Sequence, residues 1–286
     1  MRIGILTDLE GVAGVNGKGD SPCGNRIEDH DRAGLLLTEE VNACCEGLLD
    51  AGADEIIVWD GHGGSNSIHA DKLHPAAALC NICYSALTPV AWYDASFDGI
   101  IQLGAHAMHG VTGAYLSHSF NSHGITGMEL NGTPIGEIGI HLYGASYFHV
   151  PTLLLSGDQY ACNEAHALLP HLDTVQTRFS LGRYTAISRP IGTVRKELRD
   201  RSYAAARKMD RTQMLQLPEH LELLVHRMCP NDADAFEKIG IERVDASTLR
   251  FRTDDFTDLR AQLSGWAPGV HQRRYGITPD SRFIMP

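Results

Sequence analysis

Acidic residues, histidines and glycines cluster where three apolar runs of this chain break off. In TDLEG, Asp8 and Glu10 follow the apolar run at 3–6. In VWDGHGG, Asp60 and His62 follow a second run, and in LGAHAMHG, His106 and His109 follow a third. Residues two apart on a strand project to one face, which predicts that Asp8 and Glu10 enter the same crevice. Two carboxylates that close repel, so one must take a proton or both must share a cation. Imidazoles arriving from neighbouring strand ends suit a divalent transition metal: mixed histidine and carboxylate sets bind zinc, and also manganese or iron. Gly11, Gly61, Gly63 and Gly104 permit the tight turns and close backbone approach such a site needs. Each piece also has a plainer reading. An acidic pair can begin a solvated loop, a histidine can be a hydrogen-bonded structural residue, and DGHGG can be a simple turn. That turn lacks both dinucleotide-motif spacing and a P-loop lysine. Pattern alone leaves these readings open beside the metal centre.

Strands must deliver these residues to one place. RIGILT, DEIIVWD, FDGIIQLGA and VPTLLLSGD read as buried strands. Helical spacing of apolar residues covers 31–53, with Leu37, Val41, Cys44, Cys45 and Leu48 on one face and Gly52 as a stop. Further helices are predicted over 133–149 and 160–170. The alternation predicts an α/β fold, a mostly parallel sheet flanked by helices, with functional groups beyond the carboxyl ends of its strands. A charged helix over 193–209 leads into a smaller C-terminal α+β region, with strands over 221–228 and 248–253 and a helix over 255–263. The expected division is an α/β metal-binding catalytic domain at 1–190 and a smaller region at 191–286 that takes part in oligomer contacts. The tail at 273–286 has no period and reads as extended.

The chain has 286 residues, 43% hydrophobic and 21% charged, enough to bury a large core. Its net charge of −11 argues against nucleic acid or an anionic membrane as a partner. It has no run of about 18 apolar residues and no signal-like start, so a cytoplasmic location is expected. The seven scattered cysteines fit a reduced compartment. Cys80 and Cys83, in CNIC, read as structural, because no second pair stands at zinc-knuckle spacing.

TDLEGVAGV, LTEEVNA, VWDGHG, LHPAA, LGAHAM, YLSHSF and LNGTPIGEIG occur in order between residue 1 and about 160, and STLRFRTDDFTDL adds a fainter echo. Together they resemble the zinc-dependent D-aminopeptidase family of bacterial dipeptide-transport operons. The resemblance implies a cofactor of two zinc ions per subunit. Asp8 would bridge the ions, Glu10 and His62 would complete the ligands of one, and His106 and Glu137 those of the other. It also implies that His118 is catalytic and that the protein is a ring-stacked homo-oligomer, a decamer enclosing a chamber. On this reading the crowded acids at 8 and 10 are relieved by about four positive charges. Glu137 is identified by the resemblance alone, since an acid at a helix start is favoured by the helix dipole anyway. His109 and His123 take no role.

These residues imply hydrolysis of the N-terminal residue of a short peptide, with D-amino-acid peptides favoured by the resemblance. His118 could serve as acid–base group or as oxyanion partner. A metal-dependent amidohydrolase acting on a non-peptide amide is the alternative, followed by a non-catalytic, metal-stabilised shell protein. A haloacid-dehalogenase-type phosphotransferase fits least, because Glu10 stands where that family expects a second aspartate.

Overall fold

Apolar side chains alternate between two faces through residues 2–7, 55–60 and 99–105, and each run forms a strand buried on both sides. The computed structural model describes residues 1–20, 24–64, 66–81 and 93–284. Its first half contains β1 (Arg2–Thr7), β2 (Gly17–Gly19), β3 (Asn25–Ile27), α1 (His30–Asp50), β4 (Glu55–Asp60), β5 (Ala77–Asn81) and β6 (Gly99–Ala105). Next come β7 (Ile125–Leu130), β8 (Thr133–Pro134), α2 (Glu137–Tyr147), β9 (Thr152–Asp158), α3 (Gln159–Leu168), β10 (Asp173–Gly182) and β11 (Thr185–Ser188). The chain ends with α4 (Ile191–Lys208), β12 (Leu221–Arg227), α5 (Pro230–Glu237), β13 (Glu242–Arg243), β14 (Thr248–Thr253), α6 (Phe256–Leu263) and α7 (Val270–Tyr275).

Seven strands form the main sheet in the order β11-β10-β9-β6-β1-β4-β5, all parallel except β11. From β1 the chain builds outward through β4 and β5. It then crosses to the other side of β1 and continues through β6, β9 and β10. The reversal lies between β1 and β6, and a crevice opens there beyond the strand ends. Ile3, Ile5, Val58 and Ile101 face α1 and α4, whereas Leu6, Ile57, Trp59 and Ile100 face the opposite side. α1 begins at Asp29, whose carboxylate accepts the Arg32 N–H at 3.0 Å, and stops before Gly52, where φ is +96°. Leu37 and Leu48 on its inner face are fully buried, and truncating either to alanine would cost about 2–5 kcal/mol.

The second face is covered by another sheet, antiparallel, in the order β13-β14-β12-β7-β8. Leu221, Leu223 and Val225 turn inward from β12 and join the same core as Trp59 and Ile100. This sheet draws β7 and β8 from the middle of the chain and β12 to β14 from its end. β8 runs almost directly into α2, so the second sheet aims the start of that helix at the crevice.

The expected α/β class is borne out: a mostly parallel sheet flanked by helices, with α+β structure in the C-terminal part. Several details differ. The helix expected from 133 begins at Glu137, because β7 and β8 form a hairpin first. The β10–β11 hairpin was not anticipated. The tail is docked: the backbone N–H groups of Phe283 and Ile284 donate to Asp94 Oδ2, and Arg2 Nη1 donates to the Ile284 carbonyl. Cys80 lies in β5, and Cys83 lies outside the described residues. Among the described residues, no helix is long and apolar enough to cross a membrane.

Candidate metal centre

β1 ends at Thr7, and residues 8–10 form a turn, so Asp8 and Glu10 do not share the face of a strand as expected. The turn is tied to the end of β6. Asp8 N–H donates to Leu103 O and Gly11 N–H to Gly104 O, both at 2.8 Å. A Cβ on Gly104, where φ is +73°, would lie 2.1 Å from Asp8 O, and one on Gly11 would lie 2.1 Å from Ala105 O. Neither turn tolerates a side chain there. Leu9 is fully buried, which anchors the turn between the two acids.

Five side chains converge above these turns. His62 Nδ1 lies 2.9 Å from Asp8 Oδ1 and 3.0 Å from Glu10 Oε2. His106 Nε2 lies 3.2 Å from Asp8 Oδ2 and 3.3 Å from Glu137 Oε1. Asp8 thus presents one oxygen to each imidazole, with Glu10 on one flank and Glu137 on the other. Asp8, Glu10, His62 and His106 stand at the carboxyl ends of the adjacent strands β1, β4 and β6, and Glu137 opens α2.

The donor chemistry fits a cation. His106 Nδ1 lies 3.0 Å from Ala107 O. A carbonyl can only accept, so that nitrogen carries the proton and Nε2 turns toward two carboxylates. Glu10 Oε2 is buried, with His62 Nδ1 at 3.0 Å beside it. Burial alone would raise the Asp8 carboxyl, but His106 and His62 on its two oxygens outweigh it and hold it well below the carboxylate range. Burial would likewise lower both imidazoles. Glu137 and Asp8 instead raise His106 well above its ordinary value, and Glu10 and Asp8 raise His62. The pocket therefore concentrates negative charge and holds positive charge in return.

His118 joins the group from the loop after β6. Its Nδ1–H donates to Leu116 O at 2.8 Å, which leaves Nε2 as a bare acceptor. Its ring stacks on His106 at 3.9 Å between centroids and 14° between planes. Burial, and then the neighbouring His106, lower its pKa, so it is neutral near pH 7. Donor atoms of His106, His118 and Glu137 lie within 4.8 Å of one another, as do those of Asp8, Glu10 and His106.

Other strand-end polar groups serve elsewhere. Asp60 Oδ2 accepts the backbone N–H groups of Asn66, Ser67 and Ile68 at 2.8, 2.6 and 2.9 Å, and so orders the loop after β4. His109 N–H donates to Ser119 Oγ, and His123 Nε2 pairs with Asp20 at 3.0 Å on the rim. Sequence reading missed Glu164, on the buried side of α3. It accepts Met108 N–H at 2.8 Å, its other oxygen is buried without a partner, and burial pushes its carboxyl up to about 7. A Cβ on Gly136 would meet that second oxygen at 2.7 Å, so Glu164 backs the turn leading to Glu137. Nothing in the pattern of α3 distinguishes this acid from a solvated one.

A cleft of about 810 Å³ opens over Asp8, Glu10 and Glu137. Its far walls carry Phe120 and Phe236 beside Arg227 and Arg260, and the Arg260 guanidinium lies 5.0 Å from the Phe120 ring centroid. An anionic pocket facing apolar and cationic walls can hold a small polar molecule by both ends.

Comparison with known proteins places the chain among relatives. A family model described as D-aminopeptidase matches residues 1–264. A D-aminopeptidase of Bacillus subtilis (strain 168) is 32% identical over 183 residues, 64% of this chain and 65% of that protein, slightly under two thirds of its length. The solved structure of the Zn-dependent D-aminopeptidase DppA from Bacillus subtilis, a self-compartmentalizing protease, superimposes with a TM-score of 0.84 at 26% identity. It covers 92% of this chain and 96% of that one.

Proposed function

From the premise that the chain belongs to the D-aminopeptidase family, we propose that it is a two-zinc aminopeptidase removing the N-terminal residue of short peptides, D-residues preferred. The observation that carries this is the division of Asp8 between two imidazoles, each with its own second carboxylate. Asp8 would bridge the ions, Glu10 and His62 would hold one, and His106 and Glu137 the other. When bound, such ions supply Lewis-acid polarisation and make water acidic enough to ionise near neutral pH.

The remaining work falls to the chain's own groups. His118, neutral and with Nε2 bare, accepts a proton from the attacking water at that atom and returns it to the leaving amine. This choice narrows the open roles of His118, because a bare Nε2 has no proton to offer an oxyanion at the outset. Phe120 N–H donates to Glu137 Oε1 and fixes that carboxylate. The proposal includes assembly of copies into a homo-oligomer, ring-stacked and decameric, working in the cytoplasm; its support is the self-compartmentalizing relative.

The test is to load the protein with zinc, count the ions by elemental analysis, and follow amine release from D-Ala-D-Ala and D-Ala amide beside their L forms. Two zinc ions per chain and faster turnover of the D forms are expected. Failure to cleave any peptide or amide overturns the reading.

A further inference from the structure

The β10–β11 hairpin is built inside out. Val175 early in β10 packs in the core, but from residue 177 the polar side chains point inward: Thr177 Oγ1 donates to Gly157 O at 3.0 Å, Arg178 Nη1 to Val15 O at 3.0 Å, and Ser180 Oγ to Asp158. The apolar ones in that half point to solvent. Phe179 is 50% exposed, Leu181 64% and Ile187 60%. Phe179 and Ile187 are direct cross-strand partners, and Tyr184 in the hairpin turn is also exposed. Of six large, exposed apolar side chains among the described residues, these are four. Such clustering on an edge strand marks a surface that is covered in the working state. β11 is that edge.

The turn of the hairpin grips the His118 loop. Leu116 N–H donates to Arg183 O, and Arg183 Nη1 donates to Ser117 O, both at 2.9 Å. Leu116 and Phe120, on either side of His118, have φ of +50° and +54°. Left-handed backbone at a leucine and a phenylalanine persists only where surrounding contacts impose it. The hairpin supplies two of those contacts.

We propose that this hairpin face is where a second copy of the chain docks, and that docking holds the His118 loop in its working geometry. The inference rests on the assembly reading above. A second copy is the occupant because the face suits self-contact. Copies of net charge −11 repel over most of their surfaces, yet residues 179–187 contain one charged side chain, Arg183, whose guanidinium is directed to Ser117 O. An exposed edge strand pairs antiparallel with its own copy across a two-fold axis.

The test uses the full-length, zinc-loaded protein and Leu181→Asp with Ile187→Asp, both at exposed positions where the isolated fold tolerates change. A milder pair, Leu181→Ser with Ile187→Thr, guards against misfolding, and far-UV dichroism checks both. Mass is read by sedimentation, kcat on D-Ala-D-Ala, and exchange of the Leu116 amide by mass spectrometry. The wild type should be a multi-copy species. The aspartate pair should have lower mass, about tenfold or more lower kcat with unchanged zinc content, and about tenfold faster Leu116 exchange. The milder pair should raise the protein concentration needed for assembly. A variant that keeps the wild-type mass overturns the proposal. So does one that loses mass with kcat and Leu116 exchange unaltered, or a wild-type monomer that instead binds anionic phospholipid vesicles. If the wild type cleaves no peptide, the function reading fails separately, and mass and Leu116 exchange still decide the docking face.

Discussion

Two turns at neighbouring strand ends, the one after β1 and the one after β4, each carry a buried or half-buried aspartate. Asp60 meets three backbone N–H groups on one oxygen, and its loop closes around it. Asp8 accepts Leu9 N–H on Oδ1 but otherwise faces imidazoles, and its neighbour Glu10 turns its buried Oε2 to His62 Nδ1 at 3.0 Å. Backbone donors are permanent and neutral, so they stabilise a structural carboxylate without asking for a ligand. Imidazoles are exchangeable partners that either protonate or bind a cation. The difference teaches how to separate an acid that builds a turn from one that builds a site.

Asp8→Asn should break the comparison most. It removes the charge between the imidazoles while keeping the shape. Zinc content should fall and kcat/KM for peptide drop by about 10⁴-fold. Full zinc occupancy with normal turnover would place Asp8 with Asp60. His118→Gln should lower kcat by about 10³-fold, with KM nearly unchanged and zinc retained, as steady-state rates and metal analysis can establish. Loss of zinc instead would make His118 a ligand beside His106 and Glu137.

Asp60→Ala should do the reverse. Three donors lose their acceptor, two of them at buried residues, and urea melts should show a loss of about 4–5 kcal/mol. The surviving folded protein should still bind zinc. Glu40, beneath the first turn, lies between the two cases. Its Oε1 accepts Ala13 N–H at 2.9 Å, its Oε2 is buried without a partner, and burial pushes its carboxyl from 4.5 up to about 7. Between those values the native state binds the extra proton, so stability falls as pH rises through the window, by about 3 kcal/mol. Glu40→Gln should flatten that fall, which melts at about pH 5 and about pH 8 would reveal; an unchanged slope would mean Glu40 ionises normally.

Much of the frame was legible. Near-continuous apolar runs located β1, β4 and β6, and helical spacing with a glycine stop located α1 nearly to its ends. Asp8, Glu10, His62 and His106 stood out because polar groups at the ends of apolar runs violate the local pattern. Asp60 violated it equally, and only its hydrogen bonds separated it from the rest. Glu137 and His118 were identified through the family resemblance, as each is an ordinary residue for its local setting. β10 escaped because from residue 177 onward its polar residues face inward and its apolar ones face out, so alternation there carries no reliable sign of burial.

Local sequence determined the strands, the helices and the residue types offered at their ends, since backbone sterics and side-chain periodicity act over a few neighbours. Tertiary structure decided which offers met. The crossing from β4 and β5 back to β6 set His62 and His106 on opposite sides of Asp8, and the β7–β8 hairpin, held by β7 against β12 from the chain's far end, swung Glu137 into the same crevice. Convergence of charge depends on distances in space, and those are set by packing between segments that no local pattern connects.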